Sequence, residues 1–482
     1  MKSALLALAV AALAAQAPVS QASAAEPAPR PDQLTFRDLY KELIETDTSY
    51  AGRGCTLASQ RMAARLKAAG YAEADLNLFA DPAYPKEGGL IATLRGSDPK
   101  AKAIMLLAHI DVVEAKRSDW QRDPFKLIEE NGYFYARGAT DDKAMAAVWV
   151  DSLVRYRQQG YRPRRSIRMV LTCGEEASPG LKGAWWLVNQ HPEWLDAAMG
   201  LNEGVGGDLD AKGNRLSLGI ESGEKTYQDF QLTAEGAGGH AARPDGHNVL
   251  FNMSAALLEL KDLEFPVQFN DATRIYFGRT AKILGGETGA AMTALLANPK
   301  DAKADAIVSR NPIWHSMLRT TCVPTMFDAG HLKNAVPEHA ESNVNCRIFP
   351  GVPVEVVETA IRTAINDPQV KVTRVISVHP SKVAPPPPLN DTILGPAEKV
   401  ANRIWPGVPV IPTLSTGATD ARYFTSIGIP TYGLSGMFRD PDGDGVHGLN
   451  ERIRVRSLYE GRDFLFDVVK LYADSPKLGN GQ

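Results

Sequence analysis

Two kinds of apolar pattern alternate along the first half of the chain. Short runs of consecutive apolar residues predict buried strands, whereas longer stretches with apolar positions three or four apart predict helices. The predicted strands are Leu90–Leu94, Ala103–Leu107, Arg165–Thr172, Ala197–Leu201 and Leu216–Ile220, and the predicted helices lie in 34–70 and Ala144–Gln158. Strands and helices that alternate in this way are typical of an α/β fold.

The pattern changes near Glu224. A different set of elements follows: strand Tyr227–Thr233, helix Asn248–Leu260, paired strands Thr321–Asp328 and Ser342–Ile348, helix Val354–Ile365, and strand Val370–Val378. This order is typical of a ferredoxin-like α+β layer, which a helical insertion near 273–320 interrupts. Pro385–Pro388 marks the return to the first domain. We therefore predict one domain built from 26–223 and 379–482, with a second domain inserted over 224–378.

The first residues have the layout of a secretory signal peptide, predicted over residues 1–25. Lys2 precedes the apolar run Ala4–Ala15, and Ala22-Ser23-Ala24 supplies the small residues that precede a cleavage site. The run is too short for the ~20 residues that span a bilayer. The sequence thus predicts an exported protein, periplasmic or secreted, with no membrane span after the signal is removed.

Composition and charge change this picture little. The chain is 44% hydrophobic with a net charge of −3, so there is no electrostatic reason to expect nucleic acid or an acidic membrane as a partner. Four cysteines could pair in an exported protein. Cys322 and Cys346 flank the predicted hairpin and could face each other, and Cys55 and Cys173 could form a second bridge. The alternative for each is a small buried apolar residue.

Residues that could bind a metal follow the predicted strands, at the ends where open α/β sheets bind their ligands. They are His109, Glu203 and one or both of Glu175 and Glu176, and Asp111 lies two residues after His109. In the adjacent pair Glu175-Glu176, one carboxylate can bind a metal while the other faces the metal-bound water as a general base. Such pairs are also common on solvated surfaces.

Two further residues have alternative interpretations. Asp111 could hold the imidazole of His109 in one tautomer, as partners of metal-bound histidines do; a lone His109 would instead be an ordinary core or surface histidine. Asp141 precedes the helix Ala144–Gln158. It could cap that helix or bridge two metals.

Seven short motifs occur in a fixed order along the chain. They are His-x-Asp at 109–111, Gly-Ala-x-Asp-Asp-Lys at 138–143, Glu-Glu at 175–176, Asn-Glu-Gly at 202–204, Gly-Gly-His at 238–240, Asn-x-x-Pro at 334–337 with Arg347 after it, and His-Gly-x-Asn-Glu at 447–451. Over 34–472 this set resembles the di-zinc metallopeptidase family of glutamate carboxypeptidase, carboxypeptidase S, aminoacylase, carnosinase and acetylornithine deacetylase. The resemblance implies a zinc-exopeptidase-like catalytic domain, with a mixed sheet flanked by helices, and a lid or dimerisation domain.

The same resemblance implies a metal site with two Zn²⁺ ions per chain, for which Co²⁺ or Mn²⁺ could substitute. One ion would take His109 and Glu203, the other Glu176 and His447, with Asp141 as the bridge. It also implies a cis peptide between Asp141 and Asp142.

The resemblance assigns further roles around the metals. Glu175 would be the general base, Asp111 would orient His109, and His240 would stabilise the oxyanion, in many relatives from the partner subunit of a homodimer. Four positions would hold the substrate carboxylate: Asn334, Arg347, Gly417 and Thr419. The alternatives are an ordinary loop histidine for His240 and a structural ion pair for Arg347. The long predicted lid resembles that of the carboxypeptidase S branch, so the resemblance leaves open whether a homodimer forms through the lid.

The implied activity is hydrolysis of an amide bond. We expect an exported zinc-dependent metallohydrolase that acts as a carboxypeptidase or dipeptidase on small peptides. The alternative is an N-acyl-amino-acid amidohydrolase of the aminoacylase type. A third interpretation, a metal-free binding protein on a hydrolase scaffold, is disfavoured because all five ligand residues and Glu175 are present.

Overall fold

The computed structural model describes residues 28–176 and 180–478. The predicted signal peptide, residues 1–25, lies outside these residues, so export stays a prediction. Within the described part of the chain, no helix is both long enough and apolar enough to cross a bilayer.

The first part of the chain builds most of a large mixed sheet and several of its covering helices. Its strands are β1 (Leu76–Phe79), β2 (Gly89–Leu94), β3 (Ala103–His109), β4 (Ile128–Glu130), β5 (Tyr133–Tyr135), β6 (Ile167–Thr172), β7 (Ala197–Asn202), β8 (Gly207–Leu209) and β9 (Arg215–Glu224). Its helices are α1 (Pro31–Ile44), α2 (Cys55–Ala68), α3 (Lys143–Gln158) and α4 (Gly183–Gln190).

The helical stretch predicted over 34–70 is two helices and not one. A tight loop separates α1 from α2, and Gly54 lies at its end. A Cβ atom on Gly54 would lie 2.3 Å from the carbonyl oxygen of Asp47, so the chain folds back on itself here.

The middle of the chain forms a second sheet and a group of helices. Its strands are β10 (Thr226–Glu235), β11 (Gly239–His240), β12 (Thr321–Ala329), β13 (Ala335–Val336), β14 (His339–Ile348) and β15 (Val370–Arg374). Its helices are α5 (Val249–Lys261), α6 (Asp271–Leu284), α7 (Gly286–Ala297), α8 (Ala302–Val308), α9 (Pro312–Met317) and α10 (Val354–Ile365). The helical insertion near 273–320 therefore consists of α6 to α9.

The last part of the chain returns to the large sheet. Its strands are β16 (Val410–Ser415), β17 (Thr431–Gly433), β18 (Phe438–Arg439) and β19 (Arg452–Arg454), and its helices are α11 (Asp391–Ile404), α12 (Ala421–Ser426) and α13 (Val455–Asp474). The motif at 447–451 lies in a loop before the final helix. His447 and Asn450 have positive φ angles of 59° and 56°, which are uncommon for residues other than glycine, and α13 begins only at Val455.

The large sheet has the strand order β1-β2-β6-β3-β7-β17-β9-β8-β18, and β16 pairs with β9. Its central strands β6, β3 and β7 are parallel to one another. Side chains of β3 alternate between two buried layers: Ile104 and Leu106 pack towards α1, α3 and α13, whereas Met105 and Leu107 pack towards α4 and α12. The mixed sheet flanked by helices is confirmed.

The second sheet has the order β12-β14-β10-β15, with antiparallel pairs throughout. Helices α5 and α10 cover one of its faces, where their apolar residues form a core with Phe230 and Val344. This is the strand order of a ferredoxin-like layer. The predicted domain limits at residues 224 and 378 stay predictions.

Both cysteine pairs form disulfides. Cys322 and Cys346 are directly opposite each other on β12 and β14. Cys55, the first residue of α2, is bonded to Cys173, which precedes Gly174 and Glu175. The second bond ties the end of β6 to a helix 118 residues earlier in the chain.

We predict that replacing Cys55 and Cys173 together with alanine lowers both stability and kcat. Loss of a native disulfide typically costs about 2–5 kcal/mol, and this one adjoins the Glu175-Glu176 pair. The matched control replaces Cys322 and Cys346, which should lower stability with a much smaller effect on kcat. Urea unfolding and steady-state kinetics measure the two effects. Equal kcat losses in both variants would contradict the positioning role of the first bond.

Candidate dinuclear metal centre

Three adjacent parallel strands deliver the predicted metal ligands to one edge of the large sheet. His109 is the last residue of β3, Glu175 and Glu176 follow β6, and Glu203 follows β7. The strands are neighbours in the order β6-β3-β7. Their carboxyl ends therefore meet at one place, which is where open α/β sheets bind ligands.

Two groups of candidate metal ligands share Asp141. The first contains His109, Asp141 and Glu203, and the second Asp141, Glu176 and His447; within each group the ligand atoms lie within 4.8 Å of one another. The Oδ1 atom of Asp141 lies 2.9 Å from His109 Nε2, and its Oδ2 atom lies 3.1 Å from His447 Nε2. One carboxylate thus faces both groups, one oxygen to each.

The remaining ligand atoms complete each group. Glu203 Oε1 lies 3.6 Å from His109 Nε2, and Glu176 Oε1 lies 3.0 Å from His447 Nε2. Imidazole nitrogens with carboxylate oxygens are ligands that suit zinc, and three protein ligands leave a position open, as catalytic sites require. The donor set therefore fits two divalent metal ions.

Charge crowding at this edge also favours cations. Burial, followed by the charge of Glu203, raises the pKa of Glu175 well above its usual value. Burial raises the pKa of Glu176 to about 7 and also raises that of Glu203. Although burial opposes it, hydrogen bonds from His109 and His447 lower the pKa of Asp141. Cations between these carboxylates would relieve the repulsion.

Asp111 positions the Glu175-Glu176 pair. Its carboxylate accepts hydrogen bonds from the backbone N–H groups of Glu175 at 3.3 Å and Glu176 at 3.1 Å. The Nδ1 atom of His109 lies 3.0 Å from the carbonyl oxygen of Asp111 and 3.6 Å from its carboxylate. The carbonyl oxygen is thus the nearer partner of His109, and the carboxylate mainly holds the glutamate turn.

Gly174 allows that turn to form. Its φ angle is 89°, and a Cβ atom there would lie 1.6 Å from the carbonyl oxygen of Leu181. Only glycine tolerates both the angle and the contact. The Lys182 ammonium donates to the carbonyl oxygens of Glu175 and Glu176 at 2.9 and 2.8 Å, which fixes the turn from the other side.

Glu451 is a functional residue that the sequence analysis quoted only as the end of a motif. It is 1% exposed and holds the loop that carries Asp141. Its carboxylate accepts from Arg137 Nη1 at 2.8 Å and from the backbone N–H groups of Gly138 at 3.0 Å, Thr140 at 2.8 Å and Asp141 at 3.1 Å. The signal that could have identified it is its place as the last residue of the His-Gly-x-Asn-Glu motif.

The same buried pair also supports His447. Arg137 donates a second hydrogen bond to the carbonyl oxygen of Gly448 at 2.8 Å, the residue that follows His447. His447 has a left-handed backbone, which is uncommon for a residue with a side chain. The loops of the bridging carboxylate and of a terminal ligand are therefore joined. The Asp141–Asp142 peptide is cis, as the family resemblance implies.

The residues expected to bind the substrate carboxylate do not all come together. Asn334 lies near the tip of the lid hairpin, where its carbonyl oxygen accepts from Ala241 N at 3.0 Å, beside His240. Arg347 pairs with Thr321 at the open end of the same hairpin. The strand from His339 to Arg347 spans roughly 26 Å at ~3.3 Å per residue. Asn334 and Arg347 thus lie at opposite ends, which corrects the expectation that they converge within one chain.

His240 is exposed and lies on the two-residue strand β11, which pairs with β13. Its Nδ1 atom accepts a hydrogen bond from Ala242 N at 3.1 Å. Within residues 28–176 and 180–478, no hydrogen bond or ion pair joins His240 to either ligand group.

Thr419 also differs from its expected role. Its backbone N–H donates to Glu224 Oε2 at 3.0 Å, and its hydroxyl donates to Glu224 Oε1. Asn202 and the backbone of Ala421 donate to the same hydroxyl. Thr419 therefore links the end of β7 to the start of the lid, and its donors are not free for a substrate. Gly417 N donates to Ser415 Oγ at 3.2 Å.

Arg422 is a second residue that the sequence analysis did not select. Burial lowers the pKa of Arg347, Tyr227 counteracts this, and the charge of Arg422 lowers it further. The Nε atom of Arg422 is buried and has no hydrogen-bond partner among the described residues. Arg422 and Tyr227, on whose ring the guanidinium of Arg347 lies, line one cavity of about 80 Å³. Guanidinium groups beside a cavity favour an anion there.

Comparison with known proteins agrees with this geometry. Residues 105–471 match the model of Peptidase family M20/M25/M40. The chain belongs to this family. The resemblance inferred from the motifs is thereby confirmed, and with it the assignment as a hydrolase.

Curated relatives and a solved structure extend the comparison. The N-fatty-acyl-amino acid synthase/hydrolase PM20D1 of Xenopus tropicalis is 31% identical over 374 residues, which cover 76% of this chain and 71% of the relative. The Mus musculus protein of that name is 29% identical over 391 residues, covering 78% and 76%. The M20 family metallo-carboxypeptidase Sso-CP2 of Sulfolobus solfataricus has a TM-score of 0.67 at 18% identity, covering 92% of this chain and all of that one. The last likeness concerns the fold.

We predict that Glu451→Gln weakens metal binding about 10–100-fold, the usual cost of removing a residue that positions metal ligands. The new amide group would point a donor at backbone N–H donors, so the Asp141 loop would lose part of its support. Metal content after dialysis against graded chelator, measured by mass spectrometry, checks this.

The control for Glu451→Gln is Asp151→Asn. Asp151 is also buried and paired with an arginine, Arg462 at 2.7 Å, but it is not a metal ligand. Asp151→Asn should lower the melting temperature without weakening metal binding. The positioning role of Glu451 is wrong if both variants retain metal equally well.

Proposed function

We propose that the protein is an exported, di-zinc hydrolase that removes the acyl group from N-acyl amino acids. The observation that carries this proposal is the shared carboxylate of Asp141, whose two oxygens contact His109 and His447 separately. Membership of family M20 supports it, and so does the arrangement of the two ligand groups on either side of the Asp141 carboxylate. The two disulfides support export, because such bonds persist in oxidising compartments; amino-terminal sequencing of the mature protein checks the cleavage after residue 24 or 25.

The residues of this chain have distinct tasks in the proposed reaction. His109, Asp141 and Glu203 would hold one Zn²⁺, and Asp141, Glu176 and His447 the other. Bound metal would supply Lewis-acid polarisation of the amide carbonyl and a lower pKa for water.

Glu175 is the proposed general base. It follows the strand that also delivers Glu176, and Asp111 holds the backbone N–H groups of both. Within this turn the carboxylate of Glu176 lies 3.0 Å from His447 Nε2. Glu176 is therefore the proposed ligand, and Glu175 is left to act on the reacting water. Burial raises the pKa of Glu175, which suits a group that takes a proton from water and returns it to the leaving amine.

Arg347 and Arg422 are proposed to bind the free α-carboxylate of the substrate. Arg347 also stacks on Tyr227, with its guanidinium carbon 4.7 Å from the ring centre, so that its fork is held in one orientation. A planar guanidinium matches a carboxylate in shape and charge. Binding at this end would place the scissile amide over the ligand groups.

The relatives support an order for the two candidate substrate classes. From the motifs alone, peptides are the first candidate substrates and N-acyl amino acids the second. The relatives with 31% and 29% identity are N-fatty-acyl-amino acid synthase/hydrolases, so we place N-acyl amino acids first. Peptides are the second candidate, because the family is named for its peptidases.

We predict that the zinc-loaded protein hydrolyses N-acyl amino acids with a free carboxylate far faster than their C-terminal amides. We also predict that Glu175→Gln lowers turnover about 10²–10⁴-fold, as loss of a general base does. Glu175→Gln should retain both metal ions, because Glu175 is not a proposed ligand. Product release by mass spectrometry and metal analysis measure these effects. Loss of metal from Glu175→Gln would show that the roles of Glu175 and Glu176 are exchanged, and equal cleavage of the amides would overturn the proposed carboxylate site.

A homodimer through the lid is a further part of the proposal. The edge strand β12 exposes Val323, Met326 and Phe327 by 58%, 71% and 50%, an apolar surface of the kind that marks an interface. His240 lies beside the same hairpin's tip, away from Arg347. A second copy packed on β12 could bring its own His240 to the oxyanion.

We predict that His240→Ala and Glu175→Gln, each nearly inactive alone, restore activity when unfolded and refolded together. In a two-fold dimer one of the two sites would then hold both an intact Glu175 and an intact partner histidine. Light scattering verifies the dimer, and refolding each variant alone is the control. A verified mixed dimer without activity would show that His240 acts within its own chain or not at all.

A further inference from the structure

The helical insertion packs on the large sheet and not on the lid sheet. Helices α6 to α9 form their own core, which includes Phe277, Met292 and Met317 and extends to Leu414 of β16. Arg279 of α6 donates hydrogen bonds to the carbonyl oxygen of Val410 and to Glu398. The insertion is therefore fixed against β9 and its neighbour β16, next to the metal-ligand edge.

A cavity of about 610 Å³ lies between the insertion and these two strands. This volume is in the range of small-molecule binding sites, about 300–1,000 Å³. Aliphatic side chains line it from both sides: Leu216 of β9 and Ile411 of β16 from the sheet, with Ile283, Leu284, Ile313 and Met317 from α6 and α9.

Four of these side chains are strongly exposed. Leu216, Ile283, Leu284 and Ile313 are 50%, 51%, 49% and 61% exposed. Single exposed aliphatic residues are common on protein surfaces, whereas a group of them around one cavity marks a binding site for an apolar molecule. The cavity thus exposes apolar surface that nothing else in the described chain covers.

The cavity adjoins the proposed metal centre. Gly204, which follows the ligand Glu203, lines both this cavity and a smaller one of about 210 Å³ that also borders Asp141 and Glu203. Arg439 lines both as well. A Cβ atom on Gly204 would lie 2.8 Å from the Cα atom of Gly433, so no side chain can stand here between the two cavities.

We propose that this cavity binds the acyl chain of a long-chain N-acyl amino acid. The inference rests on the proposed function and specifies its substrate class. A flexible aliphatic chain can pass the bare backbone at Gly204 and lie between Leu216 and α6, while the amide remains at the metal-ligand edge. A folded protein partner would instead need a flat surface, and this one is concave and opens beside the reacting groups.

The first test varies only acyl length. N-acetyl-, N-octanoyl- and N-dodecanoyl-leucine are compared with the zinc-loaded wild-type protein. We expect kcat/KM to rise with chain length by up to about fourfold per methylene, the usual gain from burying that group. The same order is expected for the affinities of the three compounds in calorimetry with Glu175→Gln, a readout that does not require turnover.

The second test fills the cavity. Leu284→Trp and Ile313→Trp should lower kcat/KM for N-dodecanoyl-leucine at least tenfold and leave that for N-acetyl-leucine within twofold. Leu78→Trp is the matched control, because Leu78 has a similar exposure of 47% but lies on the distant edge strand β1. It should leave both substrates unaffected.

The outcomes separate this inference from the proposed function. If the wild-type protein cleaves none of the three compounds, the proposed function is wrong and the inference is overturned with it. If N-acetyl-leucine is cleaved but chain length has no effect, or if the tryptophan variants slow both substrates equally, only the inference is overturned. It is likewise overturned if these variants change the oligomeric state or binding to phosphatidylcholine vesicles without changing the dependence on chain length.

Discussion

The buried carboxylate of Glu451 joins two loops that lie 310 residues apart in sequence, and the geometry of the metal centre depends on it. It accepts hydrogen bonds from Arg137 and from three backbone N–H groups of the Asp141 loop. Arg137 in turn holds the loop of His447. Because the two oxygens of Asp141 face different histidines, a small rotation of its loop would disturb both groups of ligands. One interaction thus sets the position of the bridge and of one terminal ligand.

The rest of the centre is held by the sheet. The parallel strands β6, β3 and β7 end at one edge of the sheet. Each strand brings at least one metal ligand to this edge, at its last residue or shortly after it. Gly174 and the Cys55–Cys173 disulfide then fix the turn that carries Glu175 and Glu176. The result is a buried concentration of carboxylates whose pKa values are raised first by burial and then by neighbouring negative charges. Divalent cations would remove the repulsion among these charges.

The proposed substrate would contact two parts of the inserted region, namely the lid sheet and the helices α6 to α9. The lid supplies Arg347 and the large-sheet region supplies Arg422, and these two residues are proposed to recognise the amino acid. The helices α6 to α9 are fixed to β9 and β16 and form the apolar cavity beside Gly204. A long insertion that carries both parts would therefore place the polar and the apolar halves of one substrate on opposite sides of the scissile amide.

The sequence alone determined the sheet strands near the site, the ferredoxin-like order of the lid and the set of seven motifs, because apolar periodicity and residues at strand ends are local properties of the chain. Tertiary structure alone decided the role of Glu451, the hydrogen bonds between Thr419 and Glu224, and the separation of Asn334 from Arg347. Each of these depends on hairpin register or on contacts between distant segments. Such contacts leave no periodic signal, since the free energy that selects them comes from burial and hydrogen bonding in the folded chain.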